Sequence, residues 1–110
     1  MSELLEKRLR FTRHLTTLIT RFNQMPGVDV AYGRDFDESN EKLRHMRGSL
    51  HYLGLANDIA LYIGGVYQTT TEAYADMGAF WKTLDKDNRW GGDFKKADGN
   101  HFSIAYMGKC

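Results

Sequence analysis

Residues 55–68 read Leu-Ala-Asn-Asp-Ile-Ala-Leu-Tyr-Ile-Gly-Gly-Val-Tyr-Gln, a mainly apolar run that two glycines interrupt. Two glycines between apolar segments are typical of a β-hairpin, because the primed turns that join antiparallel strands need positive φ angles. The sequence therefore predicts one strand before Gly64 and another after Gly65. Asp58 departs from this pattern, since it puts a carboxylate inside the first predicted strand.

The segment before the hairpin predicts a helix and a strand. Apolar residues within 4–22 recur every three or four positions, with charged residues and threonines between them, which is typical of an amphipathic helix. Ser2 is the predicted N-cap, and Pro26-Gly27 ends the helix in a turn. Residues 28–32 then alternate in the manner of a short strand.

The segment after the hairpin predicts a second helix and a final strand. Thr69-x-x-Glu72 has the form of a capping box, and the apolar residues behind it keep helical spacing as far as Leu84. Trp90-Gly91-Gly92 is predicted to be a loop, and the alternating run from His101 to Met107 a strand. The order of helix, strand, loop, hairpin, helix and strand predicts an α+β fold, in which helices flank a small antiparallel sheet.

Composition limits the size and the class of the protein. The 110 residues, 42% of them hydrophobic, are expected to form a single domain over residues 1–110. Lys and Arg total 15 against 14 for Asp and Glu, which argues against a nucleic-acid clamp or a membrane-surface binder. Because no apolar stretch reaches the length of a signal peptide or a membrane span, we expect a cytoplasmic protein without membrane insertion. We also expect the protein to be a monomer.

A metal bound to this chain would be held by histidines and carboxylates, because Cys110 is the only cysteine. His51 precedes a glycine at which the chain can turn and bring the imidazole towards Asp58. His101 opens the last predicted strand, and Asp98 lies three residues before it. Two imidazoles and one carboxylate with an open fourth position match a catalytic zinc site. The metal-free alternative is that backbone N–H groups or an arginine cap Asp58.

Two blocks of the sequence resemble a known peptidase family. Residues 49–58 fit the pattern S-x-H-x-x-G-x-A-x-D, which is similar to the first zinc-binding motif of D-alanyl-D-alanine carboxypeptidases and L-alanyl-D-glutamate peptidases, including phage endolysins. Residues 90–94 and 98–103 resemble the second block of that family, in which an acid lies three residues before the last metal-binding histidine. The resemblance covers residues 28–106.

The resemblance implies a DD-peptidase/hedgehog-like zinc peptidase fold with a catalytic metal. The Zn²⁺ ligands would be His51, Asp58 and His101, and Asp98 would be the catalytic acid/base. Zinc would polarise the scissile carbonyl and activate water, while Asp98 would carry the proton to the leaving amine. Aspartate at position 98, where other members have glutamate, is similar to the endolysin-like branch. It favours cleavage of L-Ala-D-Glu over D-Ala-D-Ala.

Substrate contacts are implied for residues that precede or open the first motif. An arginine of the family binds substrate from this segment, and Arg34 is the nearest candidate, with Arg44 and Arg47 as alternatives. Ser49 is similar to the motif serine, which would contact polar groups of the substrate or else hold its own loop.

The leading hypothesis is a zinc-dependent peptidoglycan peptidase that cuts the stem peptide. It would be a phage or prophage endolysin, stored in the cytoplasm until a membrane pore releases it to the cell wall. The alternative is a non-catalytic zinc-binding domain of the same fold, as a virion- or tail-associated or structural component. Release of new amino groups from peptidoglycan separates these two hypotheses, and elemental analysis tests the metal-free alternative.

Overall fold

The computed structural model describes residues 1–33 and 49–110. Within this part, five strands form an antiparallel sheet in the order β1-β2-β5-β4, with β3 paired to β2, so the predicted α+β class is confirmed. The elements are α1 (Glu3–Asn23), β1 (Val28–Tyr32), β2 (Ala56–Ile63), β3 (Val66–Tyr67), α2 (Ala75–Leu84), β4 (Asn88–Trp90) and β5 (His101–Ile104). Neither described α-helix is long and apolar enough to cross a membrane.

Helix α1 and strand β1 form where the sequence predicts them. The Ser2 hydroxyl caps α1 by accepting a hydrogen bond from the N–H of Leu5 at 3.1 Å. At the other end, the Asn23 side chain donates to the carbonyl of Val30 at 2.8 Å and accepts from its N–H at 2.7 Å, which fixes the course of β1. Three residues of the apolar stripe of α1 are buried: Phe11, Leu18 and Phe22.

The predicted hairpin joins β2 and β3. Gly64 and Gly65 have φ angles of 57° and 80°, the two positive values that a primed turn needs. Tyr62 therefore pairs with Tyr67 across the hairpin.

The core lies between the helices and one face of the sheet. Ile59 of β2 and Phe102 of β5 are fully buried there. Trp81 of α2 packs edge-on against Phe102 and against Phe11, with ring centroids 5.9 Å and 5.7 Å apart. Because neighbouring side chains on a strand point to opposite faces, residues 58 and 101 are directed to the face away from this core.

The predicted capping box at Thr69 is wrong, because Thr71 is the N-cap of the first helical turn. The hydroxyl of Thr70 accepts a hydrogen bond from the N–H of Ala73 at 3.3 Å. The helical segment then starts as a 3₁₀ turn at Glu72–Tyr74 before it continues as α2.

The C-terminal part of the chain contains a strand that the sequence did not predict. Trp90 belongs to β4 and not to a loop, because residues 88–90 pair with β5. Strand β5 ends at Ile104 and not at Met107, since the main chains of Tyr106 and Lys109 bond to each other in a turn.

Candidate metal centre

Three side chains converge on the sheet face opposite the helices. Asp58 of β2 is the cross-strand partner of His101 of β5. The Asp58 Oδ1 atom lies 3.5 Å from His51 Nε2 and 3.6 Å from His101 Nδ1, and the two imidazole nitrogens are 3.2 Å apart. Both histidines are buried, whereas the Asp58 side chain is 27% exposed. The structure therefore brings together the three residues that the sequence predicted as ligands.

A short 3₁₀-helix places His51 on this face. It covers Leu50–Leu53, and the Ser49 hydroxyl caps it by accepting a hydrogen bond from the N–H of His51 at 3.2 Å. Gly54 ends it with a φ of 73°, a left-handed conformation that favours glycine, and the chain reverses into β2. The turn predicted at Gly54 is confirmed. Ser49 holds this loop, and a contact of its hydroxyl with substrate stays a prediction.

The spacing of the three ligand atoms suits a zinc ion. Ligands about 2.0–2.1 Å from a tetrahedral zinc stand roughly 3.3 Å apart. The observed separations of 3.2, 3.5 and 3.6 Å agree with that value. Two imidazole nitrogens and one carboxylate oxygen are also a donor set that leaves a fourth position for water or substrate. Among residues 1–33 and 49–110, this is the one group of three or more such side chains at metal-binding distance.

The second ring nitrogen of His101 contacts the C-terminal residue. Its Nε2 atom lies 2.8 Å from the main-chain oxygen of Cys110, and the Ser103 hydroxyl donates to the same oxygen at 2.5 Å. A main-chain oxygen only accepts hydrogen bonds, so the contact places the proton of a neutral His101 on Nε2 and directs the lone pair of Nδ1 towards the cluster. The sequence analysis missed this partner, because no pattern marks the return of the tail.

The electrostatic surroundings of His101 favour positive charge. Burial opposes the imidazolium, but the hydrogen bonds to Asp58 and Cys110, together with the negative charge of Asp98, hold the pKa of His101 above its ordinary value. A proton and a metal ion compete for the same nitrogen, so the acidic groups that stabilise the imidazolium also stabilise a bound cation.

Asp98 is held beside the cluster by the glycine at position 91. The N–H of Asp98 donates to the carbonyl of Gly91 at 2.9 Å, and its own carbonyl accepts from the N–H of His101 at 3.1 Å. A Cβ atom at Gly91 would stand 2.0 Å from the Asp98 carbonyl oxygen, so this approach requires glycine. Asp98 is exposed and lies three residues before His101, and its role as the acid/base stays a prediction.

Trp90 fixes the same loop by packing. Its indole N–H donates to the carbonyl of Gly99 at 2.7 Å. The ring lies over Gly78 and Gly92, where a Cβ atom would come within 2.2 Å of ring atoms. The Trp90-Gly91-Gly92 segment therefore serves to hold the loop that carries Asp98.

The predicted substrate arginine lies outside the described residues. Arg34 and its two alternatives, Arg44 and Arg47, all belong to residues 34–48. A contact of any of them with substrate stays a prediction.

The class of the protein follows from its family. The sequence model of the family described as D-alanyl-D-alanine carboxypeptidase matches residues 44–104, which is more than half of the chain. The protein therefore belongs to the D-alanyl-D-alanine carboxypeptidase family, and the resemblance found in the two sequence blocks is confirmed.

A solved structure shares the fold. The L-Ala D-Glu endopeptidase ChiX of Serratia marcescens superposes with a TM-score of 0.55 at 20% sequence identity, over 87% of this chain and 86% of that chain. At this identity the likeness concerns the arrangement of the elements. No curated protein sequence matches the chain.

Proposed function

We propose that the protein is a zinc-dependent peptidoglycan peptidase, a single catalytic domain that hydrolyses the L-Ala-D-Glu bond of the stem peptide. The observation that carries the proposal is the convergence of His51, Asp58 and His101 at zinc-like distances on one sheet face. Membership of a peptidase family supports the reaction class. The fold shared with an L-Ala D-Glu endopeptidase and the aspartate at position 98 support the choice of bond.

A bound zinc ion would supply Lewis acidity at the scissile carbonyl and lower the pKa of water towards about 7. The residues of the chain do the rest. The Asp98 carboxylate takes the proton of the attacking water and gives it to the amine nitrogen as the C–N bond breaks. Trp90 and Gly91 keep this carboxylate near the cluster, because they hold its loop by one hydrogen bond each.

The cellular role in this proposal is that of a phage or prophage endolysin. The protein stays in the cytoplasm as a monomer until release and then acts on the cell wall. The alternative is a non-catalytic zinc-binding domain of a virion or tail. Asp98 favours catalysis over this alternative, because a binding module needs no exposed carboxylate next to its metal ligands.

Release of new amino groups from purified peptidoglycan tests the proposal. The zinc-loaded protein should release them, a chelator should stop the reaction, and added zinc should restore it. Asp98→Ala should lose about 10²-fold or more of the rate and still bind zinc, since it removes the proton carrier and leaves the ligands. Mass spectrometry of the released fragments identifies the bond.

Asp93→Ala is the matched control. Asp93 is an exposed carboxylate of the same segment that pairs with Lys82 at 2.7 Å, and its removal should leave the rate unchanged. Full activity of Asp98→Ala would overturn the role given to Asp98. Zinc-loaded protein that releases no amino groups from any peptidoglycan type would support the non-catalytic alternative.

A further inference from the structure

Two exposed tyrosines lie on the face of β2 that carries the metal cluster. Tyr62 is four residues beyond Asp58 on the same strand, so both side chains point to one face. Tyr67 of β3 is the cross-strand partner of Tyr62, and their ring centroids are 5.4 Å apart. The two residues are 38% and 46% exposed. They form a contiguous aromatic surface, the tyrosine pair, at the edge of the candidate site.

A buried tyrosine, Tyr74, lies near Tyr67. The Tyr74 hydroxyl accepts a hydrogen bond from the N–H of Leu61 at 3.2 Å and donates to the carbonyl of Gln68 at 3.0 Å. Burial raises the pKa of Tyr74, and the hydroxyl of Tyr67 nearby adds to the effect. Tyr74, which these two hydrogen bonds hold in place, lines the same cleft as Tyr67.

A polar cleft of about 210 Å³ lies between Tyr67 and the predicted acid/base. Its two sides are formed by residues 67–71 with Tyr74 and by residues 97–100, which include Asp98. The two sides touch where Gly99 packs on Thr71, since a Cβ atom at Gly99 would lie 2.6 Å from the Thr71 Cα. The walls offer threonine hydroxyls and side-chain amides, which suit a ligand rich in hydroxyl and amide groups.

The position of the pair suits a group a short way along the substrate from the scissile bond. At about 3.3 Å per strand residue, Tyr62 lies roughly 13 Å from Asp58 along β2. An extended peptide covers about 3.4 Å per residue. In peptidoglycan, the stem peptide is joined through a lactyl group to a sugar of the glycan strand, next to L-Ala. L-Ala and the lactyl group together span about 7 Å, so the sugars that follow them extend over the remaining distance towards the pair.

Sugar rings and tyrosine rings have complementary surfaces. A pyranose presents C–H groups on its faces and hydroxyls at its rim, while an aromatic ring presents a negative face to such C–H groups. The tyrosine pair supplies the aromatic faces, and the cleft supplies the polar groups. We propose that Tyr62 and Tyr67 bind a sugar of the glycan strand while the attached stem peptide runs through the cleft to Asp98. The proposal rests on the proposed function.

Two soluble substrates that differ only in the sugar test this proposal. One is the free stem peptide, and the other is the same peptide attached to its disaccharide. Tyr62→Leu and Tyr67→Leu should each lower kcat/KM for the glycosylated substrate about 2- to 10-fold, mainly through KM. Tyr62→Leu should change kcat/KM for the free peptide less than twofold. Tyr67→Leu should lower it less than it lowers kcat/KM for the glycosylated substrate, because Tyr67 also lines the cleft that takes the peptide. Tyr62→Phe and Tyr67→Phe keep the rings and should keep the preference for the sugar.

Tyr32→Leu is the matched control. Tyr32 is 73% exposed, but its cross-strand partner is the core residue Ile59, so it belongs to the other face of the sheet. This variant should behave as wild type on both substrates. Equal losses on the two substrates, or no loss on either, in the Tyr62 and Tyr67 variants would overturn the proposal.

Binding of the peptide-free disaccharide separates this proposal from the proposed function. Chemical shifts of the tyrosine rings in Asp98→Ala protein should respond to the disaccharide, and Tyr62→Leu should abolish the response. If the wild type cleaves neither substrate while this binding persists, the proposed function fails and the sugar site stands. If the wild type cleaves both substrates equally and the disaccharide does not bind, the sugar site fails and the proposed function stands.

Discussion

The two faces of β2 carry different side chains: one face packs in the core, and the other carries the candidate metal centre. On one face Ile59 and Leu61 are 0% and 3% exposed and pack in the core beneath the helices. On the other face Asp58 lies between two imidazoles, and Tyr62 continues the surface outward. Because side chains alternate along a strand, eight residues supply both the core and the site. Substitutions at neighbouring positions should therefore separate the stability of the fold from its chemistry.

The largest effect is expected at Asp58. Asp58→Asn keeps the size of the side chain but replaces an anionic ligand, so we expect a loss of at least about 10³-fold in the rate of amine release. Thermal unfolding of the metal-free variant should stay close to that of metal-free wild type. Asp76→Asn, an exposed position on α2, is the control and should keep full activity. A variant at Asp58 that unfolds at room temperature would show that the two faces are not separable.

Substitution of Ile59 is expected to lower the stability of the fold strongly and to leave metal binding unchanged. Ile59→Ala leaves a cavity in the core and should lower the free energy of unfolding by about 2–5 kcal/mol, measured by urea denaturation. The fraction that is folded at low temperature should keep wild-type metal affinity. Ile59→Val removes one methyl group and should cost about 0.5–1.5 kcal/mol. If Ile59→Ala lost its metal affinity while still folded, packing and ligand geometry would be coupled through β2.

The smallest effect is expected where α1 is tied to the turn before β4. Arg10 donates to the Asp85 carboxylate from Nε at 3.0 Å and from Nη2 at 2.6 Å and 2.7 Å, and its Nη2 also lies 3.1 Å from Asp87 Oδ2. Burial works against ionised Asp85, but the bonds from Arg10 outweigh it and hold the pKa of that carboxyl below its ordinary value. A lowered folded-state pKa stabilises the fold above the ordinary value of 3.8, and this contribution is lost as the pH falls through the folded-state pKa.

Asp85→Asn should therefore lower the free energy of unfolding by about 1 kcal/mol at pH 7, because water screens the partly exposed guanidinium. The difference between the variant and wild type should shrink as the pH falls below 3.8. Urea midpoints of the variant and of wild type, measured at pH 7 and below pH 3.8, check this expectation. A difference that stays constant with pH would show that the ion pair with Arg10 is not its source.

Local signals in the sequence identified the elements that hold the ligands. Gly64-Gly65 located the hairpin, because few other residues accept two successive positive φ angles. The apolar run of β2 marked Asp58 as an exception, and Gly54 accounted for the return of His51. The family resemblance then supported the roles of Asp98 and of the three ligands.

Features that depend on distant contacts could not be predicted. Strand β4 has three residues, too few to show a period, and its identity depends on pairing with β5. Three successive threonines precede the helical segment, and the sequence pattern does not say which of them is the N-cap. The contact of Cys110 with His101 depends on the path of the whole tail. The role of Trp90 depends on the packing of its ring against Gly78 and Gly92, which are distant from each other in the sequence.

The metal content per chain is the most direct test of a zinc site formed by His51, Asp58 and His101. Elemental analysis should be made on wild type, Asp58→Asn and Asp76→Asn after dialysis against zinc and removal of excess metal. About one zinc per chain is expected in wild type and Asp76→Asn and almost none in Asp58→Asn, with all three proteins folded. A wild-type protein that retains no zinc, or an Asp58→Asn protein that retains as much as wild type, would contradict this expectation.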